Sequence, residues 1–402
     1  MRLRDGLAAV ALIASPTAAL ADEPPSVATM ALVKDVLAEQ ILSGGGALTK
    51  KVLAAPEDYR FQVLFTEIDG NRLVRHGYRA DAEYYFPASS MKVPITLAAY
   101  ERLATLRKTQ PGVDRDATMV IHPVASGPGE SYTTTLARET WRALIVSDNF
   151  SANRLLGFVG HREANETLWG LGFRSVRIHT GFATGAPTMD PAEASPTLDF
   201  SGPQGKATLR ARKSTLRLPP TDATSLDIGK AYIDGGRRVD KPLSFAAKNA
   251  IRLEELQDAL VRIVRPDLFP LEDTASPDDL AYVKSALGTL PSASGLAGYD
   301  RNIVADYPLV PFLRGIERVR SRAHFQIFSK VGQAFGFLIE NAYIVDKDTG
   351  RAFFLTASIF ANPDGVMNND IYAYDTIAFP VLADVGEVFS RYVFASATSP
   401  PK

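Results

Sequence analysis

A serine three residues ahead of a lysine, Ser89-Ser90-Met91-Lys92, can supply a nucleophile and its proton acceptor from one short segment. If the segment opens a helix, positions i and i+3 share a face, and Lys92 reaches back toward the Ser89 hydroxyl. The free N–H groups of a helix N-terminus also favour the negative charge that develops at an attacked carbonyl. The spacing alone is weak, because it recurs at Ser399–Lys402 in a terminal tail and a serine before an apolar helix is most often a cap. Two further segments carry complementary groups. Ser147-Asp148-Asn149 offers a hydroxyl that can relay a proton and an amide that can hold a substrate amide. Lys330-Val331-Gly332 offers positive charge for a carboxylate, then a position without a side chain. Taken singly, the second is a capping turn and the third a lysine at a strand end. Together they meet the needs of acyl transfer: a nucleophile, a base, and charge at the site of attack. Burial and a second ammonium nearby would also hold Lys92 in the neutral form that a proton acceptor needs.

The surrounding elements must bring three distant segments together. Helical apolar spacing covers 30–43 and 47–54, with Gly44-Gly45-Gly46 between them as a turn; no Gly-Lys-Ser/Thr follows to make it a phosphate loop. A β-rich run at 60–68, the turn Asp69-Gly70-Asn71 and a second run at 73–78 read as a hairpin. The Ser89 helix is expected over 89–106, with a mild kink at Pro94. Helices at 134–146 and 150–159 are joined by the Ser147 triplet, and a third follows at 161–171. Residues 180–220 read as irregular, with helices at 221–234, 246–263 and 278–287 beyond them. Strands return at 325–331, 335–345 and 352–360, and 371–394 forms a terminal helix. The expected class is α+β: an antiparallel sheet flanked by N- and C-terminal helices, plus an all-helical lobe. We divide the chain into an α/β domain of 22–88 and 325–402 and a helical domain of 89–324 with an insertion around 176–320.

Ser89-x-x-Lys92, Ser147-Asp148-Asn149 and Lys330-Val331-Gly332, in that order, resemble the S-x-x-K, S-D-N and K-T-G signature of the penicillin-recognising serine enzymes. Phe86–Val93 and Val146–Asn153 are most similar to the nucleophile helix and inter-helix loop of class A β-lactamases. The resemblance covers roughly 28–175 and 320–395 and implies a β-lactamase/transpeptidase-like fold. It implies that Ser89, Lys92 and Ser147 are catalytic, and that Asn149, Lys330, Gly332 and Gln333 bind substrate. The oxyanion hole would be the backbone N–H groups of Ser89 and Gln333. The implied substrate is a β-lactam or a peptidoglycan-like acyl donor, attacked to form an acyl-enzyme without cofactor or metal. A D,D-peptidase or esterase using the same Ser-Lys pair is the alternative, as is a ligand-binding homologue without turnover. Two departures bear on this choice. Val331 stands where the family has Thr or Ser, whose hydroxyl helps bind the substrate carboxylate. No Glu-x-x-Leu-Asn motif follows Phe173 to supply the carboxylate that activates the deacylating water. Asp190, Glu193 and Asp199 are the carboxylates of the expected replacement loop, 180–205, while Glu163 and Glu166 are expected to face solvent.

Composition sets outer bounds on 402 residues with a formal net charge of −1. That balance argues against nucleic acid as an electrostatic partner. Residues 1–21 read as a secretory signal peptide, with Arg2 and Arg4, the apolar run Leu7 to Ala14 and the small-x-small site Ala19-Leu20-Ala21. We therefore expect an exported, periplasmic or secreted monomer without a membrane anchor. There is no cysteine for disulfide or thiol chemistry, and the five histidines form no metal-ligand spacing. A Ser-His-Asp triad lacks the Gly-x-Ser-x-Gly elbow that would support it.

Overall fold

Five strands carry apolar residues on both faces, which is the pattern of a sheet covered on both sides. The computed structural model describes residues 36–123, 130–183, 194–269, 275–299 and 305–395. The strands are β1 (Gln62–Asp69), β2 (Arg72–Tyr78), β3 (Phe325–Ala334), β4 (Phe337–Asp346) and β5 (Ala352–Phe360). They form one antiparallel sheet in the order β3-β4-β5-β1-β2. The two ends of the chain thus close a single sheet, as the sequence pattern implies. Strand alternation sorts the side chains. Val63, Phe65, Leu338, Phe353 and Leu355 face a rear core shared with α1 (Leu37–Ser43) and α10 (Phe379–Ala395). Leu64, Phe337, Ile339 and Phe354 face a front core shared with the second lobe.

That second lobe is built around α3 (Lys92–Arg107), which is buried on nearly every side. A 3₁₀ turn, Ala88–Met91, leads into it, and Pro94 falls in its first turn, where a proline is tolerated. Around α3 pack α4 (Leu136–Ile145), α5 (Asn149–Val159), α6 (His161–Gly170), α7 (Leu253–Val264) and α8 (Pro277–Leu287). The short helices α2 (Ala47–Ala54) and α9 (Leu313–Ile316) lie with α10 on the rear layer. The boundaries of α2 to α6 and α8 follow the expected ones closely, whereas α7 begins at Leu253 rather than 246 and α10 at Phe379 rather than 371.

The differences lie in the middle of the chain. The lobe expected to be wholly helical also holds short strands. Residues 118–121, 132–134, 198–202 and 205–209 form a four-stranded sheet. The helix expected at 221–234 does not form. Residues 231–234 and 237–239 are instead a hairpin turning on Gly235 and Gly236, both at positive φ, a conformation glycine adopts at little steric cost. The hairpin joining β3 to β4 is similar: Phe335 and Gly336 have φ of 54° and 84°, as a two-residue turn of the primed type requires. The signal segment 1–21, the second Ser-x-x-Lys at 399–402, Asp190 and Glu193 lie outside the described residues. Among the described residues no helix is long and apolar enough to cross a membrane.

Candidate active site

The three motifs converge on one point, the Ser147 hydroxyl. Lys92 Nζ donates to Ser147 Oγ at 3.1 Å and Lys330 Nζ donates to the same oxygen at 3.0 Å. Lys92 also donates to the Ser147 carbonyl at 2.5 Å and to Asn149 Oδ1 at 2.7 Å. Local backbone explains the convergence. Ser147 has φ of 58°, an unusual conformation for a non-glycine residue, in the turn between α4 and α5; such strain concentrates at functional sites. Asp148 then caps α5 by accepting from the Ser151 amide at 2.7 Å, and Arg142 holds it at 2.9 Å. The capping reading and the chemical reading of this triplet are therefore both true of it.

Lys330 enters by strand alternation. It is 2% exposed, and it faces the front, toward α3 and the Ser147 turn. Val331, one residue on, turns the opposite way into the rear apolar core. Gly332 faces front again, against the Ser89 turn. A β-carbon there would lie 2.3 Å from the Pro87 carbonyl oxygen and 3.2 Å from the Ser89 amide nitrogen. The glycine lets β3 close onto the Ser89 turn. Gln333 itself is exposed near the end of this edge strand.

Ser89 lies in the 3₁₀ turn at intermediate exposure, preceded by Ala88 at φ of 46°. Its hydroxyl makes no hydrogen bond among the described residues, and the Lys92 ammonium is turned toward Ser147 and Asn149 instead. Three of the four side chains Ser89, Lys92, Ser147 and Lys330 are thus linked, and Ser89 stands outside that network. Burial lowers the pKa of Lys92 well below the usual lysine value, and the Lys330 charge lowers it further. Burial also pushes Lys330 down to about 7, against the opposing pull of Glu340. Glu340 is fully buried on β4, where it accepts from Ser329 Oγ at 2.6 Å and from the Phe312 amide at 2.5 Å. Burial raises its pKa. Sequence reasoning did not single out Glu340.

Of the carboxylates named from the sequence, Asp199, Glu163 and Glu166 lie within the described residues, and each is held by another group. Asp199 is exposed on the small sheet, taken up by His122 at 2.7 Å and Thr208 at 2.5 Å. Glu166 is exposed and pairs with Arg162 at 2.8 Å; Glu163 is half-buried and pairs with Arg212 at 3.1 Å. His122 also lies 3.3 Å from Ser131 Oγ, so Ser131, His122 and Asp199 stand in line. Ser131 is exposed and the His122 and Asp199 side chains are 37% and 46% exposed, without the water-excluded surroundings that make such a line productive. Among the described residues no group of acidic or histidine side chains could hold a metal ion.

A strap unremarked in the sequence, residues 178–183, runs past Lys92 and Asn149. Asn165 holds Ile178, accepting from its amide at 2.9 Å, and Asn249 accepts from the amides of His179 and Thr180 at 2.8 and 3.0 Å. Asn153 grips Phe182 at both backbone ends, at 2.8 Å each. Asn149 donates to the Ala183 carbonyl at 2.6 Å. The Phe182 ring consequently stands 4.9 Å from Lys92 Nζ. Asn153 follows Asn149 by one helical turn, so both face the strap, and that i, i+4 spacing is the signal the sequence held.

Residues 47–217 match the family model described as "Beta-lactamase enzyme family". Among solved structures, the chain is similar to a β-lactamase from Burkholderia ambifaria, with a TM-score of 0.51 at 12% identity, over 88% of this chain and 100% of that one. A β-lactamase from Sphaerobacter thermophilus scores 0.50 at 14% identity, over 92% and 100%. A mutant of PBP-A, solved as an acyl-enzyme complex with penicillin G, scores 0.50 at 13% identity, over 90% and 96%. At these identities the likeness is one of fold. No curated protein matches the chain.

Proposed function

Starting from a chain whose residues 47–217 match the β-lactamase enzyme family, we propose that it is an exported active-site serine hydrolase acylated on Ser89 by a β-lactam or a similar amide. The observation that carries this reading is the meeting of Lys92 and Lys330 at Ser147 Oγ, against a Ser89 turn backed by Gly332. Ser89 Oγ bonds to the acyl carbon and gives its proton to neutral Lys92. The C–N bond then breaks, and the proton passes through Ser147 to the leaving nitrogen. The Ser89 and Gln333 N–H groups take the oxyanion. Asn149 and Lys330 hold the substrate once the Asn149 amide leaves Ala183.

Incubation with a fluorescent penicillin followed by peptide mass spectrometry tests the assignment. An adduct on Ser89, absent from Ser89→Ala, is expected. An adduct on Ser90 or Ser147 that survives Ser89→Ala overturns it.

A D,D-peptidase-like reading is favoured by one observation. No carboxylate of the described residues hydrogen-bonds to Lys92. In that reading a stable adduct replaces turnover. Export rests on residues 1–21 and is tested by N-terminal sequencing of the secreted chain, which should begin at Asp22. The monomeric state is tested by sedimentation.

A further inference from the structure

We infer that Phe245 is a positioning residue for acylation: its ring, carried in by the insertion, braces the Ser89 turn against the end of β3 and so fixes the spacing of the two N–H groups proposed to take the oxyanion. The inference rests on Ser89 as the acylated residue and on that pair of donors, and adds what holds them in place.

The two donors belong to segments far apart in the chain, the Ser89 turn and the Gln333 end of β3. Phe86 stands three residues before Ser89, and Phe335 stands two residues after Gln333. Their rings meet edge to face, with centres 5.1 Å apart. Phe245 is fully buried and packs against both, at 5.7 Å from Phe86 and 5.5 Å from Phe335. It also reaches Tyr84 at 5.5 Å and Phe337 at 6.3 Å. One ring from the insertion thus touches the approach to Ser89 and the hairpin that ends β3. Each segment carries a non-glycine residue in the left-handed region here: Ala88 has φ of 46° and Phe335 φ of 54°. Such residues keep their conformation only where the surrounding structure over-determines it.

Hydrogen bonds fasten the insertion to the same approach. The Tyr84 amide donates to Thr224 O at 3.0 Å, and the Tyr84 hydroxyl donates to Asn249 O at 2.8 Å. Thr224 Oγ1 donates to Ala82 O at 3.1 Å, and one Arg60 nitrogen donates to Tyr84 O and Ser225 O, both at 3.0 Å. Phe245 is itself pinned: its amide donates to Leu226 O at 2.9 Å, and Leu243 and Ser244 pair with Ile228 and Asp227 just before it. Residues 231 and 232 pair in turn with 366 and 367, beyond β5. The ring is therefore delivered by a segment anchored around it. Stabilisation of an oxyanion depends on donors that are in place before the charge develops. Asn149 and Lys330, proposed to hold the substrate, are placed instead by their bonds to Lys92 and Ser147. Loss of the ring should then slow acylation without weakening substrate binding.

Three variants of the full chain, Phe245→Ala, Phe245→Leu and Phe389→Ala, separate this role from a purely structural one. Phe389 is equally buried but lies on α10 in the rear core, so its loss removes the same side chain from the other side of the sheet. The concentration dependence of acylation by a fluorescent penicillin yields the binding constant and the acylation rate constant separately, at a temperature where melting shows each variant folded. Misplacement of about 1 Å at reacting groups costs about 10²-fold in rate, and Phe245→Ala should lose about that much of the rate constant, with binding unchanged and the adduct still on Ser89. Phe245→Leu, which refills part of the space, should recover part of the rate. Phe389→Ala should melt earlier and acylate at the wild-type rate. If Phe245→Ala does not fold, Phe245→Leu takes its place in the comparison. A rate constant equal to that of Phe389→Ala, or a loss confined to the binding constant, overturns the inference while leaving the Ser89 reading standing. An absence of adduct in the wild type and every variant overturns both.

Discussion

Replacing Gly332 by alanine adds one carbon where the structure has no room for it. Its φ lies outside the left-handed region, so the perturbation is steric. The new β-carbon would lie 2.3 Å from Pro87 O, 2.9 Å from Ser90 N and 3.2 Å from Ser89 N. All three are backbone atoms, and none can swing aside as a side chain would. Either β3 or the Ser89 turn must withdraw by the better part of an ångström. The strand is held along its length by β4, and the turn by buried Ser90 and Met91. Overpacking of this kind costs about 1–3 kcal/mol. A domain of 150–250 residues loses about 2–4 °C of melting temperature per kcal/mol, so a fall of several degrees is expected. The shift also displaces the Ser89 amide, which the proposed mechanism uses for the oxyanion. Misplacement of about 1 Å at reacting groups costs about 10²-fold in rate. The assay is the acylation rate with a fluorescent penicillin, read beside calorimetric melting. Gly170→Ala is the control, because nothing lies within 4 Å of a β-carbon there. Wild-type acylation and melting in Gly332→Ala would refute both the steric argument and the role given to this contact.

Ser147→Ala removes the oxygen shared by Lys92 and Lys330; acylation should fall by about 10²–10⁴-fold with melting changed little, and equal rates would exclude the relay. Asn153→Ala removes both hydrogen bonds to the Phe182 backbone, at about 0.5–1.5 kcal/mol each; urea unfolding is the check, and unchanged stability would contradict it. Glu340 gives a pH signature. Its folded pKa is raised to about 8, so its contribution to stability is full below the ordinary carboxylate range and is lost as pH rises through about 8. Lys330, depressed to about 7, contributes in the opposite sense, its share being lost as pH falls through about 7. Relative to Glu340→Gln, the wild type should therefore lose stability between about pH 5 and 8. Unfolding at pH 5, 6, 7 and 8 measures the difference, and a flat or rising difference contradicts the assignment.

Local rules, read from the sequence alone, were enough for much of this protein. Strand alternation and hairpin glycines placed β1, β2, β4 and β5 within a few residues, because those signals depend on near neighbours. Helical spacing placed the Ser89 turn at the start of α3 and the Ser147 triplet between two helices. The order of the three motifs carried the family likeness, and the helices and closing sheet followed. Tertiary structure decided what those rules do not contain. The strands at 118–121 and 198–202 pair across a long separation and are too short to announce themselves. The expected helix at 221–234 gave way to a hairpin because Gly235 and Gly236 adopt positive φ. Lys92 bonds to Ser147 and Asn149 rather than to Ser89, because Ser147 is held in a left-handed turn that aims both its oxygens at the lysine. Phe182 covers that lysine because asparagines from α5, α6 and the approach to α7 fix a strap whose residues carry no motif. Chemistry at i and i+3 can be read along a chain; which side chain closes over it is set only when distant elements pack.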